Sequence, residues 1–217
     1  MANDENDFQE LYQETLKKMD DLTEKQKRIL QAALELFSSQ GFSETSSAQI
    51  AERAGVAVGS VYQRFQNKQA LLVAVLTPLL TKALPQAVDQ FGTAAFQHSF
   101  DDVKSFVEAI VPDRLRFIDK NYPALKLLVG QVIVDDEGVI SQLKEAFVSQ
   151  MATNVVPNIK RLQQDGKMIE MPENYIIQFL FTSILGYLGK RILNMPVTID
   201  DEINFISAFL TNGLTKH

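Results

Sequence analysis

Apolar residues recur at spacings of three and four along nearly the whole chain, the signature of amphipathic helices. From Thr23, the run TEKQKRILQAALELFSSQGF sets Ile29, Ala33, Leu36 and Phe37 on one stripe. It opens with Thr23 and Gln26 at capping-box spacing and stops at Gly41, so a helix is expected between them. Two short helices follow, over 46–54 and 58–65, and a longer one starts near Asn67 and runs through QALLVAVLTPLLTKAL. Five further helical segments follow, beginning with SFDDVKSFVEAIVPDRLRFIDK and ending with IDDEINFISAFLTNGL, separated by Pro, Gly or Asp-rich breaks. Pro112 and Pro157 fall inside two of them and predict kinks or breaks. No alternating stretch long enough for a strand appears. Near the start, Phe8, Leu11, Tyr12, Leu16 and Met19 trace a helical stripe among acidic residues. This predicts an extra amphipathic helix packed on the body, against a frayed tail as the alternative.

Hydrophobic content of 46% is ample for a packed core in a chain of 217 residues. The absence of cysteine rules out a disulfide framework, a thiolate nucleophile and a cysteine-based zinc site. The start is acidic with no basic-then-apolar leader. The most apolar run, YIIQFLFTSILGYLG, falls short of the roughly 20 residues of a spanning helix. These features together predict a cytoplasmic protein without a membrane partner. The net charge of −6 argues against nucleic acid until its distribution is considered. Residues 23–70 carry six basic and four acidic side chains, and the blocks on either side are net acidic.

That basic block contains AERAGVAVGSVYQRFQNK. On a helical wheel over 58–66, Val61 and Phe65 face one way with Val58 nearby, giving an inward face. Gly59 and Gln63 lie opposite with Gln66 near them, and Ser60 and Tyr62 stand at the flanks. Gly55 falls where the chain must reverse, a helix C-cap that glycine fills without strain. Two short helices joined by a three- or four-residue turn and braced by a longer one make a helix-turn-helix, whose second helix fits a major groove about 12 Å wide. Gly59, Ser60 and Gln63 would then face base edges, with Gln63 placed to pair with adenine. Tyr62 would reach a phosphate, as would Thr45 or Ser46 at the start of the helix before, and Lys68 would clamp the backbone from the other side. A helical hairpin with solvated Tyr and Gln is the alternative reading.

The stretch RILQAALELFSSQGFSETSSAQIAERAGVAVGSVYQRFQNKQALLVAVL, about fifty residues, resembles the DNA-binding domain of TetR-family transcriptional regulators. The resemblance lies in AALELF, Gly41-Phe42, Thr45-Ser46, Ile50-Ala51, AGV, Gly59, Tyr62, Phe65, Lys68 and Leu71. It implies an all-α chain of three parts: an N-terminal extension (1–22), a three-helix helix-turn-helix DNA-binding domain (23–70) and a helical ligand-binding and dimerisation domain (71–217). It further implies a homodimer on a roughly palindromic operator, released by a small-molecule effector. Family roles carry over to Thr45, Ser46, Tyr62 and Lys68 as backbone contacts, and to Gly59, Ser60 and Gln63 as groove contacts. The chain departs from the family pattern at Ala48 (often basic), Ala57 (often a serine cap) and Val58 (often basic or polar). Arg64, where histidine is common, offers partial compensation as a DNA contact.

In the C-terminal part, the helix from Tyr175 to Leu193 is apolar nearly all round and needs cover on two sides. Ser183, Gly186 and Gly189 would let a partner helix approach, and Ile206, Phe209 and Leu210 of the last helix would complete a four-helix bundle with a second copy. A helix buried within a monomer is the alternative. A pocket is expected among Phe106, Ile110, Leu115, Ile118, Phe147, Met151, Phe179 and Tyr187. Its polar candidates are His98, Gln131, Asn154 and Gln178, and its lining suits a lipophilic or aromatic effector. Catalysis is disfavoured, since His98 and His217 are the only histidines and there is neither a phosphate loop nor a nucleophile elbow. The acidic runs Asp135-Asp136-Glu137 and Asp200-Asp201-Glu202 each precede a helix, where acids favour its positive end, so neither a metal nor a cofactor is expected. The competing function is an all-α small-molecule-binding or scaffold protein that does not read DNA.

Overall fold

The computed structural model describes residues 8–96, 99–132, 148–149 and 151–217. Helices make up almost all of what is described, and Met168 and Thr215 form an isolated antiparallel bridge. The chain divides into two compact units, one holding residues 8–87 and 123–132 and the other residues 88–122 and the described residues after 145.

In the first unit, α1 (Phe8–Lys17) buries Phe8, Leu11, Tyr12, Thr15 and Leu16, so the extra helix is present and packed. It lies against α2 and against the helix that follows the recognition element. α2 (Glu24–Gln40) begins with the expected capping box: the Gln26 amide N–H donates to Thr23 Oγ1, and the Thr23 amide donates to Gln26 Oε1 at 2.8 Å. Its inner face is Ile29, Leu30, Ala33, Leu34 and Phe37. α3 (Ser47–Ala54) and α4 (Val58–Arg64) follow, then α5 (Lys68–Pro78), capped by Asn67, whose side chain accepts from the Ala70 amide at 2.7 Å.

Helix α5 passes through residue 70, where the sequence predicts a domain boundary, and continues as one helical run, Lys68–Ala95. Pro78 lies in its path. Because proline has no amide hydrogen, one rung of the helix is lost, and the next five residues (Leu79–Ala83) widen into a π-helical turn before α6 (Leu84–Ala95) resumes. By length and composition this run could cross a membrane. Half of its most apolar window is buried within the protein, as in a core helix.

The second unit is built around α7 (Val103–Lys120), whose inner stripe is Val103, Phe106, Val107, Ile110, Val111, Leu115 and Ile118. Asp102 caps it, accepting from the Ser105 amide at 2.7 Å, and that hydrogen bond holds the exposed carboxyl below the usual aspartate range. α7 runs through Pro112 without the break that the sequence allows. α8 (Tyr122–Val132) comes next in sequence. Pro157 instead sits in the first turn of α9 (Val156–Gln164), directly after a second π-turn, Met151–Val155, a position where its missing amide costs little. α10 (Glu173–Ile192) and α11 (Ile199–Leu214) pack on α7 and on each other. One polar cluster fastens α10 to the end of α7. The Tyr187 hydroxyl donates to Asp119 at 2.5 Å, Arg191 pairs with the same carboxylate, and Tyr122 donates to the Arg191 carbonyl at 2.9 Å.

Candidate DNA-reading site

Ser46 caps α3 as a second complete capping box: the Gln49 amide donates to Ser46 Oγ at 3.2 Å, and the Ser46 amide donates to Gln49 Oε1 at 2.7 Å. The helix ends at Gly55, whose φ of +65° is left-handed and whose amide donates back to the carbonyls of Ala51 and Glu52. The chain reverses over Gly55, Val56 and Ala57 and enters α4. The N-cap position, Ala57, makes no side-chain hydrogen bond, which confirms that this helix starts without the usual cap. Val61 and Phe65 are buried on the same side as Ile50, Ala51 and Ala54 of α3, so a small apolar core fixes the angle between the two helices. Arg53 braces the outside of α3 on α2 through Glu35, with Nε and Nη2 both 2.7 Å from one carboxylate oxygen.

With that base buried, the rest of α4 points outward. Gly59, Tyr62, Gln63 and Arg64 are exposed, Tyr62 by 52%, and Ser60 is half-buried. A Cβ at Gly59 would meet nothing within 4 Å, so packing within the chain does not require glycine there. Its smallness matters only to something approaching from outside. Val58 corrects the helical-wheel reading: at 44% exposed it belongs to the outer face, because the first residue of a short helix has no preceding turn to cover it.

Two of the expected phosphate contacts have other work. The buried Thr45 hydroxyl donates to the Gly41 carbonyl at 2.8 Å and accepts from Gln40 at 3.2 Å, which pins the loop before α3. Lys68 Nζ donates to three carbonyls, those of Phe42 at 2.9 Å, Thr45 at 3.0 Å and Ser43 at 3.2 Å, and stands 4.5 Å from the centre of the Phe42 ring. An ammonium has three protons, and all three are engaged. Lys68 is the keystone that ties the start of α5 to the loop between α2 and α3. The spacing in the sequence could not reveal it, because its partners are backbone atoms more than twenty residues away.

The expected pocket residues scatter more widely. Phe106, Ile110, Leu115 and Ile118 line the buried face of α7, and Tyr187 is buried with its hydroxyl on Asp119. Met151 and Asn154 lie half-buried on the second π-turn. Phe179 and Gln178 are exposed, which corrects their assignment to a pocket wall: Gln178 lies opposite the stripe of Ile176, Leu180 and Tyr187 that faces its own unit, and Phe179 lies at the flank of that stripe. Gln131 lies in α8, and Phe147 and His98 fall outside the described residues, as does Asp135-Asp136-Glu137. An open groove of about 480 Å³ does run between α7 and α11, and its lining is mixed, with Lys104, Glu108, Arg116 and Asn204 beside Pro112 and Ile203.

Among the residues expected to meet a second copy, Phe209 is 71% exposed, Gly186 is exposed, and Ser183, Gly189 and Ile206 are half-buried. Leu210 is corrected to core: it is 2% exposed and turned into its own unit. Tyr175, Phe181 and Leu185 on α10 and Phe205 on α11 are also exposed.

Residues 29–75 match the family model described as bacterial regulatory proteins, tetR family, a stretch that spans most of α2, α3, the turn, α4 and most of α5. This stretch is similar to the DNA-reading part of TetR-family regulators. It is 36% identical over 197 residues to the uncharacterized HTH-type transcriptional regulator YerO of Bacillus subtilis (strain 168), covering 89% of this chain and 64% of that one. It is 29% identical over 170 residues to the HTH-type transcriptional regulator RutR of Escherichia coli (strain K12), covering 75% and 73%. Among solved structures, the transcriptional regulator FadR from Bacillus subtilis, in complex with stearoyl-CoA, superposes with a TM-score of 0.59 at 16% identity, covering 86% of this chain and 97% of that one. These matches identify the chain as a DNA-binding transcriptional regulator rather than an enzyme. Helix α1 lies ahead of the matched stretch, as an addition to it.

Proposed function

We propose that this TetR-family regulator is a cytoplasmic repressor that binds a palindromic operator as a homodimer and leaves it when a lipophilic or aromatic effector binds. The reading rests first on the outer face of α4, where Gly59, Tyr62, Gln63 and Arg64 stand free on a buried base of Val61 and Phe65. Gln63 offers the paired donor and acceptor that match adenine, Tyr62 and Ser46 reach phosphates, and Arg64 adds charge. Val58 presents an apolar surface of the kind that meets a thymine methyl group.

The homodimer is supported by the apolar side chains that α10 and α11 leave uncovered. Tyr175, Phe179, Phe181, Leu185, Phe205 and Phe209 are each at least 41% exposed, and such a grouping on adjacent helices marks an interface rather than ordinary surface scatter. Four helices, two from each copy, would bury it.

A gel-shift titration against the chain's own upstream DNA tests the reading. Specific binding is expected, with Tyr62→Phe weakening every sequence alike and Gln63→Ala chiefly relaxing base preference. No binding even at low salt would defeat it and favour the ligand-binding scaffold instead.

A further inference from the structure

Arg114 is out of place for a surface helix. Only 14% of its side chain is exposed, and the guanidinium lies 3.8 Å from the centre of the Phe91 ring and 4.8 Å from that of Phe117. Its one carboxylate partner among the described residues is its own neighbour, Asp113, which is 47% exposed. Its hydrogen bonds from Nε at 2.8 Å and Nη2 at 2.5 Å go to a single oxygen, Asp113 Oδ2. A guanidinium carries five N–H donors. Nη1 has no acceptor among the described residues. Burial opposes the charged form and pulls the side chain's pKa below the ordinary arginine value, a strain that the Asp113 carboxylate only partly offsets. A buried cation with one solvated partner and free donors is a poor structural element and a good receptor for an anion.

The surroundings define the rest of the ligand. Phe91 makes an edge contact with Phe96 at 5.9 Å, Phe96 with Phe100 at 5.7 Å, and both meet Phe106, at 6.4 and 5.4 Å. Phe91 and Phe106 are buried, while Phe96 and Phe100 are half-exposed and leave apolar surface to be covered. The ladder therefore leads from open apolar surface to the guanidinium. We propose that Arg114 anchors the anionic head of an amphipathic effector whose apolar body lies along Phe91, Phe96, Phe100 and Phe106. This rests on the ligand-responsive reading and adds the chemical class of the ligand. The bidentate fork suits a carboxylate or a phosphate, with Asp113 as the internal anion that the ligand displaces.

The test is displacement of a neutral apolar dye, Nile red, from the full-length protein by dodecanoate, dodecyl phosphate and 1-dodecanol, with no DNA present. At least one of the two anions is expected to displace the dye tenfold or more better than the alcohol, and the better of them identifies the head group. Arg114→Met should erase that preference while leaving the alcohol unchanged. Asp113→Asn should strengthen the anion by removing its competitor, a change that a purely structural ion pair would not produce. Equal displacement by all three in the wild-type protein overturns the proposal, and needs no variant to fold. An equal loss for all three in a folded Arg114→Met overturns it as well. Either result would leave operator binding intact, so this failure and a failure of the regulator reading are distinguishable.

Discussion

Replacing Lys68 with methionine separates two roles that one lysine could play. The substitution keeps most of the aliphatic stem and removes three hydrogen bonds to the carbonyls of Phe42, Ser43 and Thr45, along with the contact to the Phe42 ring. A hydrogen bond to a charged group contributes roughly 1.5–3 kcal/mol, and a partly exposed cation–ring contact about 0.5–1 kcal/mol. These do not add in full, because one of the three bonds is exposed and its carbonyl can take water instead. A net loss of about 3 kcal/mol is expected. For a chain of this length that lowers the melting midpoint by roughly 6–12 °C. The assay pairs thermal denaturation with operator binding measured at several salt concentrations, well below the midpoint. If Lys68 works inside the protein, the midpoint falls and the salt slope stays put. If it grips a phosphate, the slope falls by about 0.9 per protomer. Lys68→Arg sharpens the contrast: it keeps the charge that a phosphate would need, but a planar fork cannot reproduce three tetrahedral donors. An unchanged midpoint with a reduced slope would refute the keystone role.

Other expectations follow from the same geometry. The Tyr12 hydroxyl is buried with no partner among the described residues, so Tyr12→Phe should leave stability equal or raise it by about 1 kcal/mol in urea denaturation. Burial also pushes the Tyr12 phenol far above its ordinary value. The folded form keeps its proton while the unfolded form releases it near pH 10, so stability should fall as pH rises past about 10, and Tyr12→Phe should flatten that decline. Ala57→Ser supplies the missing cap of α4 and should stabilise the first unit by about 1 kcal/mol. Phe205→Glu with Phe209→Glu should shift the sedimentation coefficient to that of a monomer without loss of helical signal, and an unchanged dimer would move the interface elsewhere. Tyr187→Phe leaves Asp119 with Arg191 but removes the hydrogen bond from the tyrosine hydroxyl, and should cost about 1–3 kcal/mol.

The helices of the reading unit were legible because local chemistry fixes them. Thr23 announces a capping box, Gly41 and Gly55 end helices, and Val61 and Phe65 repeat at one helical turn, whereas the second box, at Ser46, went unread. Pattern alone could not say which outward polar groups stay free. Thr45 and Lys68 look alike as surface donors, yet both are engaged by backbone carbonyls that only the folded loop brings near. The second unit was harder for a related reason. Phe179 on an apolar helix reads as pocket wall, and only the folded helix, with Leu180 and Tyr187 turned into the unit, shows it exposed. Arg114 escaped notice because a charged residue in PDRLRF reads as a solvated face, and its burial depends on Phe91, more than twenty residues away.

The most direct test of the central claim is fluorescence anisotropy of labelled upstream DNA, titrated with the protein at low salt in the absence and presence of the amphipathic anion. The account predicts binding at two protomers per palindrome, loss of affinity when one half-site is scrambled, and release of the DNA on adding the anion. Binding that ignores both the half-site and the anion, or no binding at all, would contradict it.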